Sequence, residues 1–242
     1  MSKSGFETFA MRRVTAILRL TGDAAVEALY PRRCAGCGRR GYWVCADCDA
    51  ALRRFARPWC DRCGAPPDLI PCRCTELPDA LAIVRSVALD DGWLRSAVRS
   101  FKYAGESARA DHLGALLLPL LADLPPFDAL VPVPLHRQRE RRRGYNQARL
   151  LAEAAAHTDS FRVEEPLLRT RPTHQQVGLD AEARRANVRG AFAVKTGTAV
   201  HGKQFVLVDD VLTTGSTLGN CAETLVAGGA AWVGAVTLAR EA

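Results

Sequence analysis

Long apolar runs are missing from this chain. Its 242 residues contain no stretch approaching the roughly 18 apolar residues that a membrane-spanning helix needs. Pro119 interrupts the longest candidate, residues 113–124. A shorter stretch near the N-terminus, residues 14–20, contains Arg19 and is too short for a secretory signal peptide. We therefore expect a cytoplasmic protein without a membrane span.

The sequence also lacks low-complexity tracts, and it is not poor in apolar residues. Both features exclude an intrinsically disordered chain. Hydrophobic residues make up 48% and charged residues 24% of the sequence, close to the average of globular proteins. The formal net charge of +7 favours an anionic partner. Cysteine thiolates would cancel part of that charge, so it does not separate nucleic acids from small phosphorylated ligands.

Eight of the nine cysteines form four close pairs within residues 34–74. Three pairs have the C-x-x-C spacing, and the fourth is one residue shorter. Two such pairs supply the four thiolates of a tetrahedral zinc site, which leaves no coordination position for water. We therefore predict one or two zinc ions with a structural role. The predicted ligands are Cys34, Cys37, Cys45, Cys48, Cys60, Cys63, Cys72 and Cys74.

Disulfide bridges are the alternative interpretation of these pairs, as in small secreted domains. The expectation of a reducing cytoplasm favours zinc. Sequential pairing predicts one site from the first four cysteines and another from the last four, and interleaved pairing stays open. The ninth cysteine, Cys221, stands alone and is expected to be buried in a helix.

The chain divides into three segments by its residue pattern. Residues 1–31 carry apolar residues at helical intervals, residues 32–78 contain the cysteine pairs, and residues 79–242 alternate between strand and helix patterns. Apolar strands separated by helices indicate an α/β fold with a parallel sheet flanked by helices. The predicted strands are residues 82–89, 129–133, 205–208 and 232–238, and one helix is predicted over residues 107–123.

One segment of the α/β region carries a phosphate-binding pattern. The strand at residues 205–208 ends in Asp209 and Asp210, and a loop rich in glycine and hydroxyl groups then opens a helix. Hydroxyls and backbone amides at a helix N-terminus bind a monophosphate. Adjacent carboxylates accept hydrogen bonds from vicinal hydroxyls, so the pattern indicates a ribose 5-phosphate site. The loop residues are Thr213, Thr214, Gly215, Ser216 and Thr217.

Two features bear on how specific this pattern is. It lacks the Gly-Lys-Ser/Thr of a P-loop, so nucleoside triphosphate hydrolysis is not indicated. Paired aspartates that end a strand before a capped helix are the structural alternative. That alternative explains one cap residue and leaves the rest of the string unexplained.

This segment resembles the phosphoribosyl pyrophosphate (PRPP) motif of type I phosphoribosyltransferases. A cysteine block followed by such a domain resembles the ComF family of competence-related proteins, from residue 34 onward. Three further stretches carry the resemblance, namely Phe-Lys-Tyr-Ala-Gly at residues 101–105, residues 131–147 and residues 173–192. The resemblance implies a type I phosphoribosyltransferase-like domain and a small N-terminal module of the double zinc ribbon type.

The resemblance also implies roles for individual residues. Asp209 and Asp210 would bind the ribose hydroxyls, and residues 213–217 would hold the 5-phosphate. Residues 173–187 would close over the site, and a magnesium ion would be carried on the oxygens of PRPP. No residue is assigned a catalytic role, because such a reaction depends mainly on stabilising the departing pyrophosphate. The loop that would meet the pyrophosphate consists of Pro134, Leu135, His136 and Arg137.

Arginine clusters are a further anion-binding feature. Residues 137–143 contain five arginines and one glutamate. They would meet pyrophosphate or a polynucleotide backbone, or form a solvated turn. The cysteine region interleaves arginines with aromatic residues, which would either stack on unpaired bases or pack a small core. The members of this second cluster are Arg39, Arg40, Arg53, Arg54, Arg57, Tyr42, Trp43, Phe55 and Trp59.

We therefore expect a PRPP-binding, phosphoribosyltransferase-like protein linked to DNA uptake or DNA utilisation, with an acceptor that the sequence does not identify. The alternative is a non-catalytic competence factor that binds single-stranded DNA and uses the fold only as a scaffold or PRPP sensor. Expected partners are PRPP, single-stranded DNA and other DNA-uptake proteins. The fold alone does not choose between the two functions.

Overall fold

The computed structural model describes residues 31–72, 74–171 and 190–242. The chain forms two compact units, Met1–Asp49 and Ala50–Ala242, whereas the sequence predicts boundaries after residues 31 and 78. The predicted N-terminal helical segment lies outside the described residues except for residue 31, and so does the expected closing segment, residues 173–187. Within the described ranges, no helix is long and apolar enough to cross a membrane.

The described part of the first unit holds the first four cysteines. A hydrogen bond of 2.9 Å from Cys34 N to Arg39 O closes the first turn. Gly38 adopts a φ of 76° in this turn, a left-handed conformation that favours glycine. Helix α1 (Ala46–Ala50) follows the third cysteine and contains Cys48.

The second unit is built on a parallel β-sheet. Its strands are β1 (Ile83–Leu89), β2 (Ala129–Pro132), β3 (Leu167–Arg169), β4 (Phe192–Val194), β5 (Gln204–Leu212) and β6 (Trp232–Arg240). Four of them pair in parallel in the order β1-β6-β5-β2, and β3 and β4 form a separate antiparallel pair. The central strands β5 and β6 are buried along most of their length, as expected for a sheet that is covered on both faces.

Helices connect and cover these strands, which confirms the predicted α/β fold. They are α2 (Gly92–Tyr103), α3 (Ala110–Ala115), α4 (Leu118–Ala122), α5 (Arg137–Arg143), α6 (Gln147–Asp159) and α7 (Ser216–Ala227). Helix α6 packs against β2 and β5, and α7 packs against β5 and β6. The predicted single helix over residues 107–123 is wrong. Pro119 lies in the first turn of α4, because its ring would clash with the carbonyl of Ala115 in a continuous helix.

The second group of four cysteines belongs to the same unit as the sheet. Backbone bonds join Val84 N to Arg62 O at 2.8 Å and Phe55 N to Val87 O at 2.7 Å. The Arg240 guanidinium at the end of β6 also donates a hydrogen bond to the carbonyl of Cys63. Residues 54–64 therefore occupy the outer edge of β1, an edge that would otherwise be open to pairing with another chain.

A charge cluster around the buried Arg85 ties this cysteine region to the C-terminal end of helix α4. Asp123 accepts hydrogen bonds from Arg57 at 2.8 Å and from Arg85 at 3.3 Å. The Arg85 side chain is only 5% exposed. Both guanidinium groups also lie over the Trp59 ring, at 5.3 Å and 5.2 Å from its centroid. Trp59 is therefore occupied in packing, and Phe55 is buried in the core, which favours the packing interpretation for these two aromatic residues.

We predict that Asp123→Asn lowers the free energy of unfolding by about 2 kcal/mol, because it leaves the buried Arg85 charge without a carboxylate. The hydrogen bond from Arg57 lowers the pKa of Asp123 despite partial burial, so the carboxylate is ionised at pH 7. Urea unfolding at pH 7 measures the loss. The matched control is Asp68→Asn, because the Arg53 and Asp68 side chains are 71% and 65% exposed and such pairs contribute about 0.5 kcal/mol. Equal losses in the two variants would contradict the prediction.

Candidate functional site

A cavity of about 460 Å³ opens at the carboxyl ends of the parallel strands, where α/β sheets bind their ligands. Its walls come from the end of β5, the loop into α7, the loop after β2, and the helices α2 and α5. Most of the predicted PRPP-binding residues lie here. Those that line the cavity are Leu135, Asp209, Asp210, Thr213, Gly215, Ser216 and Thr217.

The loop between β5 and α7 has the geometry of an anion site. Gly215 has a φ of 74° and occupies the N-cap position of α7 without a side chain over the helix end. Thr214 Oγ1 lies 2.6 Å from Ser216 Oγ. Thr214 is not among the lining residues, but this bond orients the Ser216 hydroxyl. The first turn of a 12-residue helix and the adjacent hydroxyls thus converge on one place, which suits a phosphate group.

The acidic pair lies within β5 rather than beyond its end. The predicted strand at residues 205–208 continues to Leu212, because β6 extends far enough to pair Asp209 with Thr237 and Val211 with Ala239. Asp209 Oδ1 accepts a hydrogen bond from the Asp210 amide at 2.9 Å. Strand pairing therefore fixes the backbone that carries both carboxylates.

Lys102 neutralises part of this pair from helix α2. Its Nζ lies 2.6 Å from Asp210 Oδ1, and the Asp210 side chain is only 5% exposed. The other oxygen, Asp210 Oδ2, is buried without a hydrogen-bond partner among the described residues. A buried carboxylate oxygen without a donor is costly, so Asp210 keeps a hydrogen-bond acceptor that the described residues leave unused.

Burial and the neighbouring Asp210 charge raise the pKa of Asp209 to about 7, although Lys102 opposes this shift. Burial would lower the pKa of Lys102, but the ion pair with Asp210 outweighs burial and raises that pKa. Lys102 therefore stays charged, while the pKa of Asp209 is raised towards neutrality. The acidic pair can accept hydrogen bonds from a diol.

Arginines form much of the remaining wall. Arg95 and Arg99 lie one turn apart on α2, and Arg139 and Arg143 lie on α5. Burial and then the Arg143 charge lower the pKa of Arg139, and burial and then Arg139 lower the pKa of Arg169. Crowded cations of this kind favour the binding of a ligand with several negative charges.

The loop after β2 contributes less than expected to the cavity wall. Leu135 lines the cavity, whereas His136 caps α5 by accepting a hydrogen bond from Gln138 N at 3.3 Å, and Arg137 is exposed. Asn146 supports the base of the loop through a 3.0 Å bond to the carbonyl of Val133. The assignment of Pro134, His136 and Arg137 to pyrophosphate stays a prediction.

No chemical pattern in the sequence predicts that Lys102 and Tyr103 lie at the site. Only the family resemblance, through residues 101–105, places them there. The spacing of Arg95, Arg99 and Tyr103 would have predicted the cavity wall formed by α2, because residues four apart share one face of a helix. Tyr103 is 69% exposed. The Arg143 guanidinium lies 5.4 Å from the centroid of its ring.

The eight cysteines form two separate four-cysteine groups, in which all ligand atoms lie within 4.8 Å of one another. The first group is Cys34, Cys37, Cys45 and Cys48, and the second is Cys60, Cys63, Cys72 and Cys74. This is the sequential pairing, so the interleaved alternative is wrong. Sulfurs in the second group are 3.1 to 3.7 Å apart, too far for a disulfide of about 2.05 Å. Four thiolates fit a tetrahedral structural zinc site.

One cysteine of each group has a lowered pKa, which favours its thiolate form, whereas the pKa values of Cys48 and Cys74 are raised. Burial would raise the pKa of Cys34, but hydrogen bonds from the amides of Cys37, Cys45 and Gly36 outweigh it and lower the pKa to about 6. In the second group, backbone bonds likewise outweigh burial and lower the pKa of Cys60 to about 6. Cys221 is buried in α7, as expected, and burial raises its pKa.

Comparison with known proteins gives matches over most of the chain. The model of the double zinc ribbon domain matches residues 25–78. DNA utilization protein YhgH of Escherichia coli strain K12 is 34% identical over 206 residues, covering 80% of this chain and 88% of that protein. Competence protein F of Haemophilus influenzae is 30% identical and covers 75% of this chain and 83% of its own. Competence protein ComFC of Bacillus subtilis is 31% identical, and that alignment covers 82% of this chain and 84% of ComFC.

Among solved structures, the B. subtilis glutamine PRPP amidotransferase complexed with ADP and GMP aligns with a TM-score of 0.37 at 20% identity. This alignment covers 54% of the present chain and 26% of the amidotransferase.

We predict that Asp209→Asn stabilises the zinc-loaded protein more at pH 8 than at pH 6. The folded state raises the pKa of Asp209 from 3.8 to about 7, so ionising this group costs stability as the pH rises through that window. The asparagine removes this cost, with an expected difference of about 1 kcal/mol. Thermal unfolding at both pH values measures it. The control is Asp111→Asn at an exposed position, and a pH-independent effect of Asp209→Asn would contradict the prediction.

Proposed function

This chain belongs to the ComF family of competence-related proteins, and we propose that it binds PRPP in the cavity at the end of β5 and transfers the phosphoribosyl group to an acceptor. One observation carries the proposal. Asp210, whose buried Oδ2 has no donor among the described residues, lines the same cavity as the hydroxyl-rich loop at the N-terminus of α7. A diol partner and a phosphate partner at one site describe a ribose 5-phosphate.

Each part of PRPP then has a partner of matching chemistry. Asp209 and Asp210 would accept hydrogen bonds from the two ribose hydroxyls, with Lys102 holding Asp210 in place. Residues 213–217 would bind the 5-phosphate. Arg139 and Arg143, on the α5 side of the cavity, would bind the pyrophosphate through bidentate hydrogen bonds. Magnesium, bound to the oxygens of PRPP, would neutralise part of the pyrophosphate charge.

The reaction needs little acid–base chemistry. As the bond between ribose and pyrophosphate lengthens, positive charge develops on the ribose and negative charge on the departing pyrophosphate. The acidic pair in β5 would stabilise the first charge, and the arginines would stabilise the second. Fixed charges of this kind lower the barrier because they are already oriented when the bond breaks.

Similarity to a DNA utilization protein and to two competence proteins supports a cellular role in competence or DNA utilisation. We propose that this protein acts in the cytoplasm on DNA that has been taken up, with other DNA-uptake proteins as partners.

Binding of single-stranded DNA is the second candidate function, and one observation favours it. The exposed Tyr103 ring and the Arg143 guanidinium form a stacked pair at the rim of the cavity. Arg95 and Arg99 lie on the same wall. Unpaired bases stack on such an aromatic side chain while arginines meet the phosphates. DNA and PRPP would then bind at adjacent places on one surface.

We predict that zinc-loaded protein binds PRPP in the presence of magnesium, and that combining Asp209→Ala with Asp210→Ala weakens binding about 100-fold. The loss of two charged acceptors, each contributing about 1.5 kcal/mol, accounts for that factor. Isothermal titration calorimetry measures both affinities, with Asp111→Ala as the matched control. Unchanged binding by the double variant would contradict the site assignment. Folded wild-type protein that fails to bind PRPP would overturn the proposal in favour of the second candidate.

For the second candidate, we predict that Tyr103→Ala weakens the binding of a labelled oligothymidine about 10-fold, because it removes one stacking platform. Fluorescence anisotropy measures this loss. Arg143→Gln should in addition make binding less dependent on salt. The control is Tyr42→Ala, which removes a second exposed tyrosine from the first unit. A larger loss in Tyr42→Ala than in Tyr103→Ala would move the DNA site to the first cysteine group.

A further inference from the structure

The segment that follows the second cysteine group, residues 74–78, packs directly against residues 213–219. These residues comprise the hydroxyl-rich loop after β5, called the phosphate loop below, and the first turn of α7. A methyl group on Gly215 would come within 2.7 Å of Leu77 Cδ2, and one on Gly219 would come within 2.4 Å of Pro78 Cγ. Leu77 is only 8% exposed. Because both glycines are needed for this approach, Leu77 and Pro78 lie in close contact with the backbone that presents the phosphate-binding groups.

Arg62 holds this segment in place from within the second cysteine group. Its guanidinium donates hydrogen bonds to the carbonyls of Cys74 at 3.0 Å, Leu77 at 3.1 Å and Pro78 at 3.1 Å. Arg62 follows Cys60 by two residues and immediately precedes Cys63. Three carbonyl groups of residues 74–78 therefore depend on one side chain, whose backbone is part of the turn that presents two metal ligands.

Arg62 is held by its turn and by β1, and the same turn carries two of the four cysteines of the second group. Its turn is closed by a 2.8 Å bond from Gly64 N to Cys60 O, and it is anchored on β1 by the bond from Val84 N to Arg62 O. Cys74 begins the segment that Arg62 binds. A metal ion that joins Cys60 to Cys74 would fix both ends of this arrangement at once, because bound ligands cannot separate.

We propose that Arg62 is a positioning residue for the phosphate loop, and that metal binding by the second cysteine group, unlike binding by the first, sets the affinity for a sugar phosphate. The second group belongs to the compact unit that contains the loop, Ala50–Ala242. The role in ligand binding rests on the proposed PRPP site. The mechanical link between Arg62 and residues 213–219 stands without it.

Hydrogen exchange of the ligand-free, zinc-loaded protein tests the mechanical link. Arg62→Met keeps the length of the side chain but removes the three hydrogen bonds, and we expect amides of residues 213–219 to exchange about 10-fold faster. Amides of β2 should be unchanged. The matched control is Arg53→Met, since Arg53 forms an ion pair with Asp68 in which both side chains are exposed. Exchange at residues 213–219 that equals the wild-type rate would overturn the proposal.

Two cysteine variants test the role of the metal. Cys72 and Cys37 are both exposed members of their groups, so Cys72→Ser and Cys37→Ser make a matched pair. Colorimetric zinc release should show one zinc ion lost in each variant. Only Cys72→Ser should speed exchange at residues 213–219 and weaken the binding of ribose 5-phosphate about 10-fold. Equal effects of the two variants, or no effect of Cys72→Ser, would overturn the proposal.

A comparison of two ligands separates positioning from general damage. Arg62→Met and Cys72→Ser should weaken ribose 5-phosphate binding but leave pyrophosphate binding unchanged, because pyrophosphate meets the α5 side of the cavity. A parallel loss for both ligands would indicate general damage and overturn the positioning role. If the wild-type protein binds neither ligand, the proposed PRPP function fails, and hydrogen exchange alone then decides whether Arg62 holds the loop.

Discussion

The pairing of β5 with β6 is the constraint on which the site depends. The two strands stay hydrogen-bonded as far as Leu212 and Arg240, and this extension carries the acidic pair into the cavity. The same pairing orients the loop of residues 213–217, since α7 begins four residues after Leu212. At the same end of the strand pair, Arg240 donates a hydrogen bond to the carbonyl of Cys63. One pair of strands thus fixes the carboxylates, the phosphate loop and the attachment of the second cysteine group.

The cavity combines charges that would repel each other in an empty protein. Lys102 pairs with one of two adjacent carboxylates, and several arginines line the same cavity. Burial raises the pKa of Asp209 and lowers that of Arg139, so burial disfavours the charged form of both side chains. A ligand with hydroxyl groups at one end and several phosphates at the other, such as the proposed PRPP, would relieve both. The polarity of the cavity would then restrict how that ligand lies in it.

Sequence reasoning works where the chemistry lies in neighbouring residues. The acidic pair, the hydroxyl loop and the sequential cysteine groups are local patterns, and the fold class follows from the alternation of strands and helices. It fails where tertiary contacts decide. Lys102 reaches Asp210 from a helix far away in sequence, and no local pattern marks that ion pair. Pro119 splits a predicted helix because its ring excludes one continuous turn, and the β6 partner lengthens β5 beyond its apolar run.

The inherited module and the physical unit do not coincide in this chain. The double zinc ribbon pattern covers residues 25–78, yet the compact units divide between Asp49 and Ala50. The second half of the ribbon, residues 50–78, therefore belongs to the compact unit that contains the sheet. A chimera that exchanges the whole ribbon between relatives would carry a foreign Leu77 and Pro78 onto a resident Gly215 and Gly219. Modular exchange is therefore restricted to the first half, and the second half must be replaced together with the loop that it touches.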